Sequence, residues 1–125
     1  MKQVIYLDGD NIGNHMELLL LDGKLDEAAA FSKRLTRAML QLRDSLQQIP
    51  GAEICLFGGD DIIATFPINA ISMRELNQFR AEFEILCGKS ISAGVGRSVQ
   101  EALANLRRAK LSGRNRLVSS LYQDG

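Results

Sequence analysis

The apolar positions change period several times along the chain, and each change marks an element. Val4 to Leu7 is β-rich and runs straight into the polar turn DGDNIG, the pattern of a short buried strand. Gly13 to Leu21 has the makings of a short helix, broken at Asp22-Gly23. From Leu25 to Ile49 the residues Ala28, Leu35, Met39, Leu42, Leu46 and Ile49 recur at helical spacing. One long amphipathic helix is predicted there, stopped by Pro50-Gly51. Ala52 to Phe57 and Ile62 to Phe66 read as two strands joined by GGDD, most simply an antiparallel hairpin.

Further on, Ser72-Met-Arg-Glu75 has capping-box spacing and opens a helix to about Leu86. Lys89 to Gly96 alternates like a strand, with small residues on one face. Ser98 and Glu101 form a second capping box, and Val99, Ala102, Leu103 and Leu106 then make an apolar helical stripe. Gly113 ends that helix as a C-cap glycine does, and a last strand is expected near 115–121. The order is β-α-β-β-α-β-α-β. Its first six elements follow the ferredoxin-like plan of an α+β fold, an antiparallel sheet with helices packed on one face.

At 125 residues, 46% hydrophobic, the chain is one domain's length, so residues 1–125 are expected to form a single domain. Acidic and basic side chains balance at 15 each, which argues against a generic nucleic-acid binder that neutralises many phosphates. The charges are nevertheless segregated. Arg107, Arg108, Lys110, Arg114 and Arg116 crowd into RRAKLSGRNR, whereas Asp8, Asp10, Asp60 and Asp61 sit in two turns. Cys55 and Cys87 lie far apart in apolar surroundings and are expected to be buried thiols of a reducing compartment. With one histidine, His15, a zinc site is disfavoured. The chain opens on a strand pattern rather than a signal peptide, and Leu18 to Leu21 is far too short to span a bilayer. A cytoplasmic protein is expected.

In a β-α-β-β sheet the first strand lies beside the hairpin, so Asp8-Gly9-Asp10 can meet Gly58-Gly59-Asp60-Asp61. Clustered carboxylates repel and raise one another's pKa unless a cation joins them. Hard oxygen ligands select Mg²⁺ or Mn²⁺, and two such ions would suit phosphoryl or nucleotidyl transfer. Gly9, Gly58 and Gly59 permit tight turns and close approach of a nucleotide. Asp-Gly and Gly-Asp are also ordinary turn formers, so either site alone reads as a turn. Lys110 and Arg114 are placed to bind outer phosphates, although cations at a helix C-terminus are also common dipole partners. Arg107, Arg108 and Arg116 are expected in solvent. Asn11 and Asn14 could read a base or ribose, and His15 could act as a base near Asp10.

The motifs YLDGDNIG at 6–13, FGGDDI at 57–62, and SAGVG followed by RAKLSGRNRLV within 92–118 occur in a telling order. It is the order found in GGDEF nucleotidyl cyclases and in the polymerase palm of CRISPR type III effectors. The chain most resembles the minimal CRISPR polymerase, a stand-alone palm. That resemblance implies a palm-type, nucleotidyl cyclase-like sheet that joins nucleoside triphosphates by hydroxyl attack on an α-phosphate, releasing pyrophosphate. It places Asp8 on the first-strand metal ligand, with the Gly9 carbonyl as helper, and Asp60 and Asp61 on the acidic pair of the turn. Lys110 and Arg114 fall on the triphosphate-contacting basic residues, and Asp10 on the second acid of a D-x-D pattern.

The fourth signature residue is Asp61 and the fifth Ile62, and PGAEICLF lacks an Arg-x-x-Asp product-inhibition motif. Both departures favour the CRISPR-type palm over diguanylate cyclases using GTP, and family analogy then points to ATP. The expected product is a cyclic oligonucleotide, and the implied setting is anti-phage defence beside a separately encoded effector. Two linkages from a one-triphosphate domain call for a homodimer. No template is expected, since the chain has no room for fingers or thumb. The rival reading is a catalytically silent nucleotide sensor.

Overall fold

The structure, a computed structural model, describes residues 1–121. The chain runs β1 (Lys2–Gly9), α1 (Ile12–Leu21), α2 (Leu25–Gln47), β2 (Glu53–Phe57), β3 (Asp61–Pro67), α3 (Met73–Cys87), β4 (Ile91–Gly96), α4 (Val99–Leu111) and β5 (Leu117–Ser119). The expected elements are all present, with ends shifted by a few residues. At the start of α3 the Glu75 N–H donates to the Ser72 hydroxyl at 3.0 Å and the Ser72 N–H to the Glu75 carboxylate at 3.2 Å, completing the capping box. At α4 only half of the box forms. The Glu101 N–H donates to Ser98 Oγ at 3.1 Å, but the Glu101 carboxylate accepts from Ser120 instead.

The strands form one sheet in the order β2-β3-β1-β4-β5. β1 lies at its centre, antiparallel to β3 and to β4, as the split βαβ plan requires. The pair β4–β5 is parallel, with α4 as the crossover that a parallel pair needs. Side chains opposite one another in an antiparallel pair share a face, so the register sorts the sheet. Ile5, Leu7, Ile62, Ala64, Phe66, Ile91, Ala93 and Val95 lie on one face, in a core with Phe31, Met39, Leu42 and Leu46 of α2 and Leu76 and Phe83 of α3.

Helix α4 takes the opposite face, which adds to the one-face packing expected of the first six elements. The cause is in β4, where Gly94 alternates away from Ala93 and Val95. A Cβ on Gly94 would collide with the main chain of Ala102 and Leu106. The missing side chain lets α4 lie directly on the strand. Asn105, on the buried face of α4, donates to the Val95 carbonyl at 2.8 Å.

Two expectations are corrected at the edge of the sheet. The long helix ends at Gln47, and Ile49 belongs to the turn that follows. Cys55 is exposed rather than buried, because the register slips between Ile54 and Leu56 and the extra residue sits out on the edge strand. Cys87 is buried as expected. Among the described residues no helix is long and apolar enough to cross a membrane.

Candidate active site

β1 carries its last acid inside the strand rather than beyond it. Asp8 stands opposite Asp61 on one side and Ser92 on the other. The Asp8 and Asp61 carboxylates therefore rise from the same face of neighbouring strands. The hairpin turn adds Asp60. The Gly58 N–H donates to the Asp61 carbonyl at 2.9 Å, leaving Gly59 and Asp60 at the tip, and the Gly9 N–H ties the tip to β1 through the Asp60 carbonyl at 2.8 Å. At Gly58 it is space, not dihedral angle, that leaves room for the Asp61 carboxylate. A Cβ there would come within 2.5 Å of Asp61 Oδ1.

The electrostatics follow from this crowding. Burial, then the neighbouring acids Asp61 and Asp10, pushes the Asp8 carboxyl above the ordinary carboxylate range against the opposing pull of Lys110. Asp60 is raised by burial and then by Asp8 and Asp61. Tyr6 lies two residues before Asp8 on the same face. Its phenol is pushed up by burial and then by Asp61, Asp8 and Asp60. Sequence reasoning passed over Tyr6, because a tyrosine in a β-rich run reads as core.

Asp10 belongs beneath the site rather than on its surface. It is 3% exposed. Its oxygens accept from Ser90 Oγ at 2.7 Å, Ser92 Oγ at 2.8 Å, Lys110 Nζ at 2.8 Å and the Asn115 N–H at 3.0 Å. Burial pushes this carboxyl up, but those donors outweigh it and hold it below the usual range. From there Asp10 braces Lys110 and the backbone at Asn115. Ser90, Ser92 and Asn115 went unnoticed in the sequence, which shows only small polar residues far from the acids.

Lys110 reaches the end of β1 from the last turn of α4. Its ammonium donates to the Gly9 carbonyl at 2.8 Å and the Asp8 carbonyl at 3.1 Å, and pairs with Asp8 Oδ2 at 3.1 Å. Arg114 and Asn115 follow in left-handed conformation, φ 64 and 50. The Arg114 N–H donates to the Ala109 carbonyl at 2.9 Å, and Asn115 Oδ1 accepts from Arg80 at 3.2 Å. Two non-glycine residues at positive φ are costly enough to need such ties.

Asp8, Gly9, Asp60, Lys110 and Arg114 all line one cavity of about 480 Å³, within the usual size range of ligand pockets. Asn11, Gly13 and Asn14 close it from the start of α1, and Tyr6, Leu103 and Leu106 form an apolar wall. Arg107, expected in solvent, is exposed yet stands on the rim. Asn11 caps α1 with φ 58 and no side-chain bond. Gly58, Gly59 and Asp61 belong to the hairpin beside the cavity. His15 packs edge-on to Phe31, centroids 4.7 Å apart, and is not part of the lining.

The donor set suits a hard divalent cation. Among the described residues no group of three carboxylate, imidazole or thiol side chains converges as a ready-made cage. Mg²⁺ needs none, because it keeps waters and substrate phosphates as ligands and uses one or two carboxylates. Asp8, Asp60 and Asp61 offer that, in a place where Lys110 is the one cation paired with them among the described residues.

Solved structures with this fold come from two groups. A Csm1–Csm4 cassette in complex with cA4 matches 93% of this chain and 20% of its own, at 20% identity and a TM-score of 0.69. The GGDEF domain of DgcB from Caulobacter crescentus, in complex with c-di-GMP, matches 94% of this chain and 77% of its own, at 16% identity and 0.65. The active GGEEF domain of a diguanylate cyclase from Vibrio cholerae matches 98% and 84%, at 17% identity and 0.64. The chain thus spans one fifth of the Csm1–Csm4 chain it matches. No curated protein sequence matches significantly. The sequence profile of mCpol, the minimal CRISPR polymerase domain, matches residues 4–120. The chain, an α+β palm of the nucleotide cyclase type, belongs to the minimal CRISPR polymerase domain family.

Proposed function

We propose that the protein is a divalent-metal-dependent nucleotidyltransferase that joins nucleoside triphosphates, ATP in the first place, into a cyclic oligonucleotide signal. The reading rests above all on the pairing of Asp8 with Asp61 across β1 and β3, with Asp60 tied beside them. Asp8, Asp60, Asp61 and the Gly9 carbonyl would hold one or two Mg²⁺ or Mn²⁺ ions. When bound, such ions would polarise the α-phosphate and activate the attacking hydroxyl, so no separate protein base is required.

The chain's own residues supply position and charge. Lys110 and Arg114 meet the outer phosphates as they turn into the cavity, where phosphoryl-type chemistry depends on neutralising spread negative charge. Ile12, Gly13 and Asn14 at the start of α1 line the same cavity, and the first turn of α1 carries no acid to oppose an anion. Gly58 and Gly59 keep the hairpin tip low, and Asn11 stands where a ribose or base would pass. Tyr6 and Leu103 shield one wall from water. Asp10 holds the Arg114–Asn115 turn in place.

A cavity this size holds one triphosphate, so a ring with two linkages calls for two copies facing each other as a homodimer. The complexes of the Csm1–Csm4 cassette with cA4 and of the DgcB domain with c-di-GMP support a cyclic product. A cytoplasmic role in anti-phage defence, with a separately encoded effector reading the product, fits the family. The test is pyrophosphate release from ATP, CTP, GTP and UTP in Mg²⁺ or Mn²⁺. Release that survives in an Asp60→Ala/Asp61→Ala variant would overturn the assignment.

A further inference from the structure

Lys110 and a divalent cation would need the same oxygens. The ammonium lies 2.8 Å from the Gly9 carbonyl and 3.1 Å from Asp8 Oδ2. Two cations cannot share those ligands at such range without strong mutual repulsion. We propose that Lys110 is the exchangeable counter-ion of the acidic site: it holds the Asp8 and Gly9 oxygens until a divalent ion takes them, and then turns to the substrate's phosphates. The inference rests on the metal-binding reading above and adds an order to it, in which metal entry frees the phosphate-binding lysine.

The surroundings allow the exchange. Asp10, the other anionic partner of Lys110, keeps three further donors in Ser90, Ser92 and the Asn115 N–H, so it stays satisfied when the ammonium leaves. The lysine stem is flexible and its side chain remains 18% exposed. Lys110 already lines the cavity with Arg107 and Arg114, so a short swing carries the charge to the phosphate end. An arginine, with its rigid fork, would make this exchange poorly.

The experiment is amine footprinting of the wild-type protein by mass spectrometry, with Mn²⁺ occupancy followed in parallel by electron paramagnetic resonance. Acetylation of Lys110 should rise several-fold when Mn²⁺ binds and fall again when α,β-methylene ATP is added with the metal. Lys33, on the exposed face of α2, should not respond. In the Lys110→Met variant Mn²⁺ should bind about five-fold more tightly without nucleotide, the low end of ordinary coupling between sites. Arg107→Met, which removes a nearby rim charge, should change Mn²⁺ affinity far less. Mn²⁺ binding that leaves Lys110 acetylation unchanged overturns the exchange while sparing the metal site. Failure of Mn²⁺ to bind at all overturns both.

Discussion

Asp8 and Asp61 are direct cross-strand partners at the centre of the sheet. Like charges directly opposite destabilise an antiparallel pair by up to about 1 kcal/mol. The Asp61→Asn variant should therefore melt a few degrees higher than the wild type in chelator, while losing its response to Mg²⁺ and its nucleotidyl transfer. Calorimetry in EDTA and in Mg²⁺ checks both halves. A lower melting temperature in EDTA would mean that the pair is not in conflict.

The pH dependence follows from the raised carboxyls of Asp8 and Asp60. A carboxyl raised in the folded state binds its proton more tightly there than in the unfolded chain. Its stabilising contribution is full below the unfolded pKa and is lost as pH rises through the folded one. Asp10, held low, has the opposite sign: its contribution is present above the unfolded pKa and is lost as pH falls through the folded one. Because a metal must displace the protons on Asp8 and Asp60, the thermal stabilisation by Mg²⁺ should be larger at pH 7.5 than near pH 5. A melting series at both pH values, with and without Mg²⁺, measures the difference.

Asp10→Asn should be severely destabilising, by about 3 kcal/mol, because it breaks a buried ion pair and turns an amide N–H₂ toward existing donors. Ser92→Ala removes one of the four donors to the same carboxylate and should cost about 1 kcal/mol. Urea denaturation of the two variants tests the ranking. Equal losses would mean that Lys110 and Asn115 contribute little to holding Asp10.

Gly94→Ala places a methyl group against the main chain of α4 and should cost at least about 2 kcal/mol. Ala93→Gly, on the opposite face, should be destabilising through a small cavity rather than a collision. The two are separable by the nucleotide affinity that remains, since only a displaced α4 moves Lys110. Fluorescence titration with an ATP analogue should show weaker binding in Gly94→Ala alone.

Much of this fold is legible in the sequence because its devices are local. The Ser72–Glu75 box, the Pro50-Gly51 stop and the helical spacing from Ala28 to Leu46 each fix an element within a few residues. The acidic turns were legible too, because Asp8 and the GGDD tip each end a β-rich run. What escaped depends on long-range register. Nothing near Ser92 announces that it will stand opposite Asp8 and donate to Asp10, and nothing near Cys55 announces the bulge that exposes it. The face taken by α4 was half visible in the small residues of ISAGVG, whose purpose appears only when Ala102 and Leu106 lie above Gly94. The burial of Asp10 was hidden for the same reason: its donors come from residues 80 to 105 positions away.

Paired acids on β1 and β3 are proposed to make this palm a synthase of cyclic nucleotides. The most direct measurement is mass analysis of products after the pure protein is incubated with ATP and Mg²⁺ or Mn²⁺. The wild type should yield a cyclic oligoadenylate and pyrophosphate, and Asp60→Ala/Asp61→Ala should yield neither. ATP bound by the wild type but recovered intact with either metal would contradict it, and would make the protein a sensor.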